Sequence, residues 1–246
     1  MSSYNDFAYV YDALTRDVDY EKRTDYLCSL FLKHDRLPTL LLDVACGTGN
    51  FSTEFARRGM QVIGVDKSSD MLSVARDKNT GGTDVLYLCQ AAEDIELYGT
   101  VDGAVSCLDS INHITDKNAL KKAFKRISLF LEKDRLFIFD VNTEYKHERV
   151  LGNNTFVSEQ DGVYCVWQNF YDKRRKMTDI MIDVFTEENG AYNRFCEDFS
   201  ERFYSDVELR RMLSTAGLKT EAVYDELSST APKRDSQRII YVTRKV

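Results

Sequence analysis

The stretch Asp43-Val-Ala-Cys-Gly47-Thr-Gly49-Asn50 decides the fold of this chain. It ends an apolar run, residues 39–45, that lacks polar alternation, as is typical of a strand buried on both faces of a parallel sheet. The two glycines permit a sharp turn in which the backbone can approach a ligand without an intervening Cβ. A strand, a glycine-rich turn and a helix in this order predict the first unit of an α/β cofactor-binding fold.

The same alternation of short apolar runs and helical periodicity continues to residue 142. We predict further strands near residues 61–65, 85–89, 101–108 and 136–141, and helices over 5–15, 19–36, 50–58, 69–78 and 117–132. Strands that alternate with helices form βαβ units, so this part of the chain is expected to build a doubly wound sheet.

After residue 142 the alternation of strands and helices ends. Residues 154–203 are rich in aromatic and β-branched residues and contain turn signals near 173–176 and 188–190, which predict an antiparallel insertion of three to four strands. A helix over 206–216, capped by Ser205, and strands near 218–224 and 237–244 follow.

The predicted fold class is therefore α/β, a Rossmann-like, mostly parallel, doubly wound sheet of seven strands with a small antiparallel β insertion. Residues 1–142 and 204–246 are expected to form the Rossmann-like domain. Residues 143–203 would form the insertion, as a lid over the substrate or as a dimer contact, and the chain would be a monomer or a homodimer.

Composition narrows the classes of function. The 246 residues carry a formal net charge of -7, which does not favour nucleic acid, although basic clusters at 121–126 and 173–176 leave a tRNA or rRNA substrate open. The six cysteines form no CxxC pair, so no metal site is expected. Without a secretory signal or an apolar run of roughly 18 residues, we expect a cytoplasmic protein with no membrane partner.

An acid at the end of the second strand indicates the kind of cofactor. Asp66 lies 19 positions after Gly47, about the separation at which an acid meets a ribose hydroxyl in dinucleotide folds. A nicotinamide site would prefer a third glycine at position 52, where this chain has serine. Asp43 would repel a pyrophosphate but attract an ammonium group. The charges fit S-adenosylmethionine (SAM) better than NAD, and an NAD-dependent oxidoreductase is the less favoured alternative.

A family resemblance supports the same choice. The run LLDVACGTGNFSTEFARRG, followed by VIGVDKSSDMLSVAR, resembles the first two motifs of class I SAM-dependent methyltransferases, and the resemblance extends over residues 39–142. The opening YNDFAYVYD resembles the YxxFAxxYDxL start of a small bacterial subgroup of unassigned substrate. The resemblance implies a methyltransferase that uses SAM and releases S-adenosylhomocysteine.

The resemblance also implies site residues. Asp43 would lie near the methionine portion of SAM, Asp66 near the ribose hydroxyls and Met71 against the adenine. The full implied cofactor set is Tyr4, Phe7, Tyr11, Asp43, Ala45, Gly47, Gly49, Asp66, Lys67, Met71, Gln90, Ala91, Ala92, Leu108 and Asp109. Asp109 and His113 are the candidate catalytic residues. Ala91 departs from the family pattern, which usually has an acid there.

The acceptor is not specified by any motif. We expect methyl transfer to an N, O or C nucleophile of a small molecule beneath the β insertion. A SAM-binding regulatory or interaction module without catalysis is the alternative from a different functional class.

Overall fold

The computed structural model describes residues 4–79, 85–160, 162–188 and 190–246. The side chains of residues 4–6, 160 and 188 lie outside the described part. The helices are α1 Tyr4–Leu14, α2 Tyr20–His34, α3 Asn50–Arg57, α4 Ser69–Lys78, α5 Ser110–His113, α6 Lys117–Phe130 and α7 Asp206–Thr215. The strands are β1 Leu40–Val44, β2 Gln61–Asp66, β3 Val85–Cys89, β4 Gly103–Ser106, β5 Leu136–Asn142, β6 Thr155–Gln160, β7 Val163–Asp172, β8 Met177–Glu188, β9 Ala191–Arg202, β10 Leu218–Asp225 and β11 Arg238–Lys245.

Seven strands form the central sheet in the order β10-β11-β5-β4-β1-β2-β3. Strand β11 runs antiparallel to both of its neighbours, and the other strand pairs are parallel. The predicted Rossmann-like, mostly parallel seven-stranded sheet is thereby confirmed. The chain order places β1 and β4 side by side near the middle of the sheet, which is where such folds bind their ligands.

Helix α6 shows how the local sequence produces a helix that covers the central sheet. Its buried residues Leu120, Phe124 and Ile127 recur at helical spacing and belong to the same core cluster as Phe137 and Phe139 of β5. The Asp116 carboxylate caps the first turn by accepting hydrogen bonds from the backbone N–H groups of residues 118 and 119. Burial of each large apolar side chain contributes about 1.5–3 kcal/mol, which anchors the helix to the sheet.

The insertion forms a separate antiparallel sheet of four strands in the order β6-β7-β8-β9. Its buried side chains, among them Cys165, Ile182 and Phe195, form a third apolar cluster. Phe7 and Val10 of α1 pack against this cluster. The N-terminal helix therefore connects the second sheet to the Rossmann-like layer.

Three short helical segments in the described part of the chain were not predicted. A 3₁₀ turn spans Ala92–Asp94, helix α5 is a single turn that begins directly after Asp109, and a π-helical turn spans Lys146–Leu151. One turn is too short to produce a hydrophobic period, so periodicity does not detect such segments. No helix in the described part of the chain is long and apolar enough to span a bilayer.

Candidate active site

A cavity of about 1030 Å³ lies at the carboxyl ends of the central strands. Residues after β1 and β4 and at the end of β2 form one side of it, and the inner face of the antiparallel sheet forms another. The cavity therefore occupies the switch point between β1 and β4, the usual ligand position of open α/β sheets.

Most of the cofactor residues implied by the resemblance line this cavity. They are Phe7, Tyr11, Asp43, Ala45, Gly47, Asp66, Lys67, Met71, Gln90, Ala92, Leu108 and Asp109. Gly49 and Ala91 are not among the lining residues, and the Tyr4 side chain lies outside the described residues. A Cβ added at Gly49 would lie 2.3 Å from the Tyr87 Oη. The absence of a side chain at Gly49 therefore allows Tyr87 to pack against the glycine-rich turn.

Gly47 and Asp66 together shape the loop at the cavity wall. Gly47 has φ +54°, and a Cβ built there would meet no atom within 4 Å, so its backbone faces open space. Its N–H donates to Asp66 Oδ2 at 2.8 Å, and the Ser68 N–H donates to Asp66 Oδ1 at 2.9 Å. The Asp66 carboxylate is thereby held at the end of β2 with its remaining lone pairs available to a ligand.

Asp43 is almost completely buried at the end of β1. Its carboxyl accepts one hydrogen bond from the Ser52 hydroxyl at 2.6 Å. Burial, together with the nearby charge of Asp66, raises the Asp43 pKa to about 7. A cation beside Asp43 would favour its ionised form. The open glycine turn and these two acids fit the ammonium group and ribose hydroxyls of SAM.

Asp12 of the opening motif joins α1 to the glycine-rich turn. The motif alone implied no role for this residue. Its carboxylate accepts hydrogen bonds from Thr48 Oγ1 at 2.6 Å, Asn50 Nδ2 at 2.9 Å and Lys78 Nζ at 2.6 Å. These donors lie in the glycine-rich turn, at the start of α3 and at the end of α4. We call this set of contacts the Asp12 latch. It holds Phe7 and Tyr11 over the cavity.

We expect Asp12→Ala to loosen α1 and weaken ligand retention, because three hydrogen bonds to a charged group are lost. Amide hydrogen exchange over residues 7–20 should be at least several-fold faster in the variant with saturating S-adenosylhomocysteine than in the wild type. Asp77→Ala, which removes an exposed acid of α4, is the matched control. Wild-type exchange rates in Asp12→Ala would show that the latch does not hold the helix.

Asp109 is anchored by groups from two other strands. Arg238 at the start of β11 pairs with Asp109 Oδ1 at 2.8 Å and with Asp140 Oδ1 at 2.6 Å. Asn142 Nδ2 donates to Asp109 Oδ2 at 2.9 Å and to Glu201 Oε2 at 2.9 Å. Although burial opposes ionisation, the Arg238 charge holds the pKa of Asp109 well below its usual range. Asp109 is therefore a permanent carboxylate.

His113 lies on the same wall, at the end of α5. Its ring lies 5.0 Å from the Phe199 ring, and its Nε2 is 3.9 Å from Glu201 Oε1. The His113 side chain is partly exposed in the cavity, and its partial desolvation lowers its pKa, although the nearby Asp109 charge opposes the shift. A neutral imidazole in this position can accept a proton from a bound group.

Glu201, which sequence reasoning missed, is buried in the cavity wall at the end of β9. Burial and the adjacent Asp109 charge raise its pKa to about 8, so it is mostly protonated at neutral pH. A signal was present in the sequence: Phe195, Glu197 and Phe199 share its face by alternation along β9. Acids on the buried face of an amphipathic strand indicate a polar site.

The ligand atoms of Asp109, His113 and Glu201 all lie within 4.8 Å of one another. Such spacing is compatible with a shared ligand. The Arg238 guanidinium already neutralises Asp109, and its positive charge opposes a divalent cation at this position.

The fold and the cavity define a class of protein, the SAM-dependent methyltransferases, and comparison with known proteins agrees. The family described as "Methyltransferase domain" matches residues 41–134. The putative methyltransferase YqeM of Bacillus subtilis (strain 168) is 31% identical over 243 residues, which cover 98% of this chain and 97% of that protein. The chain belongs to the SAM-dependent methyltransferase family.

Solved structures lead to the same conclusion. A SAM-dependent methyltransferase from Clostridium acetobutylicum ATCC 824 is 33% identical, with a TM-score of 0.88 over 99% of both chains. CalS10 from Micromonospora echinaspora, solved with SAM bound, shares 18% identity and a TM-score of 0.76 over 96% of both chains. The first likeness supports SAM as the cofactor, and the second extends the fold to a distant relative. The oxidoreductase and non-catalytic alternatives are thereby set aside.

Proposed function

We propose that this methyltransferase transfers the methyl group of SAM to a small molecule enclosed in the cavity. The observation that carries the proposal is the position of the antiparallel sheet. Trp167, Ile182 and Phe199 of its inner face line the same cavity as the glycine-rich loop. An acceptor bound against this face lies beneath the insertion, which supports the role of a lid over the substrate.

On the cofactor side, we assign roles by position in the cavity. Asp43 would hold the amino group of SAM, Asp66 the ribose hydroxyls and Met71 the adenine face. Gln90 and Ala92 would lie along the adenine edge. The alanine at position 91 is of little consequence in this arrangement, because residue 91 does not line the cavity.

SAM supplies an activated methyl group as a sulfonium. The chain's task is therefore to align an acceptor and exclude water. We assign Leu108 and Asp109, which directly follow β4 and line the cavity, to the position between the bound cofactor and the acceptor. The backbone N–H groups of both residues donate to Asp140, at 2.7 and 2.6 Å, which makes this turn rigid.

The charge of the cavity lining argues against an RNA acceptor. Acidic side chains are prominent in this lining, among them Asp116, Glu197 and Asp198. Acids at a binding surface repel a phosphate backbone, whereas RNA-binding surfaces concentrate Lys and Arg. CalS10, which has this fold, is described as an amino pentose methyltransferase. The fold is therefore compatible with a small acceptor.

The test is to follow the methyl group. Purified protein is incubated with methyl-tritiated SAM and heat-treated cell extract, which is then separated into small-molecule filtrate, RNA and protein. Unreacted SAM, which carries the same label, is removed from the filtrate by chromatography. We then expect a protein-dependent labelled product in the filtrate, and much less of it with the Asp66→Ala variant, which is expected to bind SAM poorly. Label that appears in RNA would overturn the proposal in favour of a tRNA or rRNA methyltransferase.

A further inference from the structure

Three side chains from different elements meet at one point of the cavity wall. Asp109 follows β4, His113 ends α5, and Glu201 lies near the end of β9. We call them the acid–histidine cluster. Asn142, the last residue of β5, hydrogen-bonds both acids, so the cluster sits above the carboxyl ends of β4 and β5. It adjoins the switch point at which the cofactor motif lies.

The charges around this cluster do not balance. Two buried carboxyls, those of Asp140 and Glu201, and the partly buried carboxyl of Asp109 face the cations Arg238 and Lys146. Arg238 is engaged by both aspartates and also by Glu226, at 3.1 Å. Glu226 is also paired with Arg23. With both of these residues counted, four carboxyls face three cations, which agrees with a protonated Glu201.

A second, independent observation concerns His147, behind the cluster. Its side chain is fully buried, and its Nδ1 lies 2.7 Å from the Thr178 hydroxyl. Its Nε2 has no hydrogen-bond partner among the described residues and lies 3.9 Å from Glu201 Oε2, beyond hydrogen-bond distance. Burial lowers the pKa of His147 to about 4, so it supplies no positive charge. Glu201, which lines the cavity, therefore keeps its proton, and His147 supplies no charge that would favour its ionised form.

We propose that Asp109 and Glu201 bind the ammonium group of a basic amine, so that the reaction is an N-methylation. This inference rests on the proposed small-molecule function and names the acceptor class. A cation in the cavity would restore the balance of charge and complete the hydrogen bonding of both acids. Trp167 and Phe199, in the same lining, offer aromatic faces that attract cations and bury the apolar part of the amine.

The proton balance of the step involves His113. An amine that arrives as R–NH₃⁺ gives one proton to the neutral His113 imidazole and becomes R–NH₂ with a free lone pair. The nitrogen lone pair then forms the bond to the methyl carbon while the carbon–sulfur bond breaks and its electron pair stays on sulfur. The products are R–NH₂⁺–CH₃, whose positive charge was the sulfonium's, and neutral S-adenosylhomocysteine. The proton on His113 leaves to solvent.

The experiment compares two probes of equal shape. Benzylamine and benzyl alcohol are titrated at pH 7 into protein saturated with S-adenosylhomocysteine, by calorimetry and by ligand-observed NMR. We expect the amine to bind at least about tenfold more tightly, which corresponds to about 1.4 kcal/mol. Calorimetry in buffers of different ionisation enthalpy should show proton release, because the bound cation lowers the pKa of Glu201.

Matched variants locate the effect. Glu201→Gln keeps the shape and the hydrogen-bonding amide oxygen but cannot ionise, so the preference for the amine and the proton release should disappear. Glu187→Gln, an exposed residue of β8, should behave as the wild type. Unchanged affinity of Glu201→Gln for S-adenosylhomocysteine would show that the variant is folded and retains its cofactor site.

Other results would overturn the amine assignment. In the wild type, these results are equal affinity for the two probes, tighter binding of the alcohol, or no binding of either probe at millimolar concentration. In Glu201→Gln, the contradicting result is that the amine still binds more tightly than the alcohol. Amine binding that requires Mg²⁺ and is lost with chelator would mean a metal site instead. Tritium label in the small-molecule filtrate without an amine preference would defeat this inference alone, whereas label in RNA would defeat the proposed function as well.

Discussion

Arg238→Met is expected to destabilise the folded protein by about 3–5 kcal/mol, the usual cost of removing one partner from a buried ion pair. Arg238 is only 8% exposed and holds Asp109 and Asp140 at hydrogen-bond distance. Without it, the buried Asp140 loses the cation that pairs with it, and Asp109 keeps only the weaker influence of Lys146. Because a native domain has roughly 5–15 kcal/mol of stability in total, the variant should lose a large part of it. Urea denaturation measures the change.

The pH dependence of this variant has a definite sign. In Arg238→Met, the pKa values of Asp109 and Asp140 should rise above those of the unfolded chain, so that the native state binds more protons. Stability then falls as the pH rises through that window. The deficit relative to wild type should therefore be smaller near pH 5 than near pH 8.

Two comparisons make the Arg238 prediction specific. The Arg57 side chain is 65% exposed and pairs with Glu54, and such surface pairs contribute about 0–1 kcal/mol. Arg57→Met removes this pair and is the control for Arg238→Met. The double variant Arg238→Met/Asp140→Asn removes one of the stranded charges and should recover part of the loss. If Arg238→Met cost no more than Arg57→Met, the buried network would not be a source of stability.

Asp66→Ala is expected to weaken S-adenosylhomocysteine binding by about 100-fold. If Asp66 binds the ribose hydroxyls, two charge-assisted hydrogen bonds are lost, each contributing about 1.5–3 kcal/mol, and about 1.4 kcal/mol corresponds to tenfold in affinity. The substitution also removes the acceptor for the Gly47 N–H, which shapes the loop. Calorimetric titration with SAM, S-adenosylhomocysteine and NADH measures the effect.

The controls separate charge from hydrogen bonding. Asp66→Asn keeps one oxygen that can accept from Gly47, so we expect an intermediate loss of about tenfold. Asp94→Ala, which removes an exposed acid from the 3₁₀ turn after β3, should leave the affinity unchanged. Wild-type affinity in Asp66→Ala would refute the ribose assignment and point to Asp43 as the principal acid.

The sequence alone predicted the fold because its signals are local. An unbroken apolar run before Gly47 identifies a buried strand, and helical spacing along residues such as Leu120, Phe124 and Ile127 identifies the helix that covers the sheet. Parallel strands place their carboxyl ends at one edge, so Asp43 and Asp66 could be expected to meet there. The structure does bring both of them to one cavity.

The residues around Glu201 in the cavity wall were not predictable in the same way. Glu201 is 59 positions from Asn142, and Arg238 is 129 positions from Asp109, so no local period relates them. Helix α5, which carries His113, is a single turn after a residue with φ +54°. The Asp12 latch likewise joins residues 36 to 66 positions apart.

The sequence by itself therefore determined the Rossmann-like sheet, the glycine-rich turn and the two acids at the ends of β1 and β2, because strand order and backbone turns follow from short-range patterns. Only the tertiary structure decided which charges meet at the cavity wall beside Glu201. Packing β9 against α5 brings Glu201 beside Asp109, and burial in a medium of low dielectric changes the pKa of each group according to its neighbours. Such neighbours are set by the packing of distant segments, which a pattern along the chain does not contain.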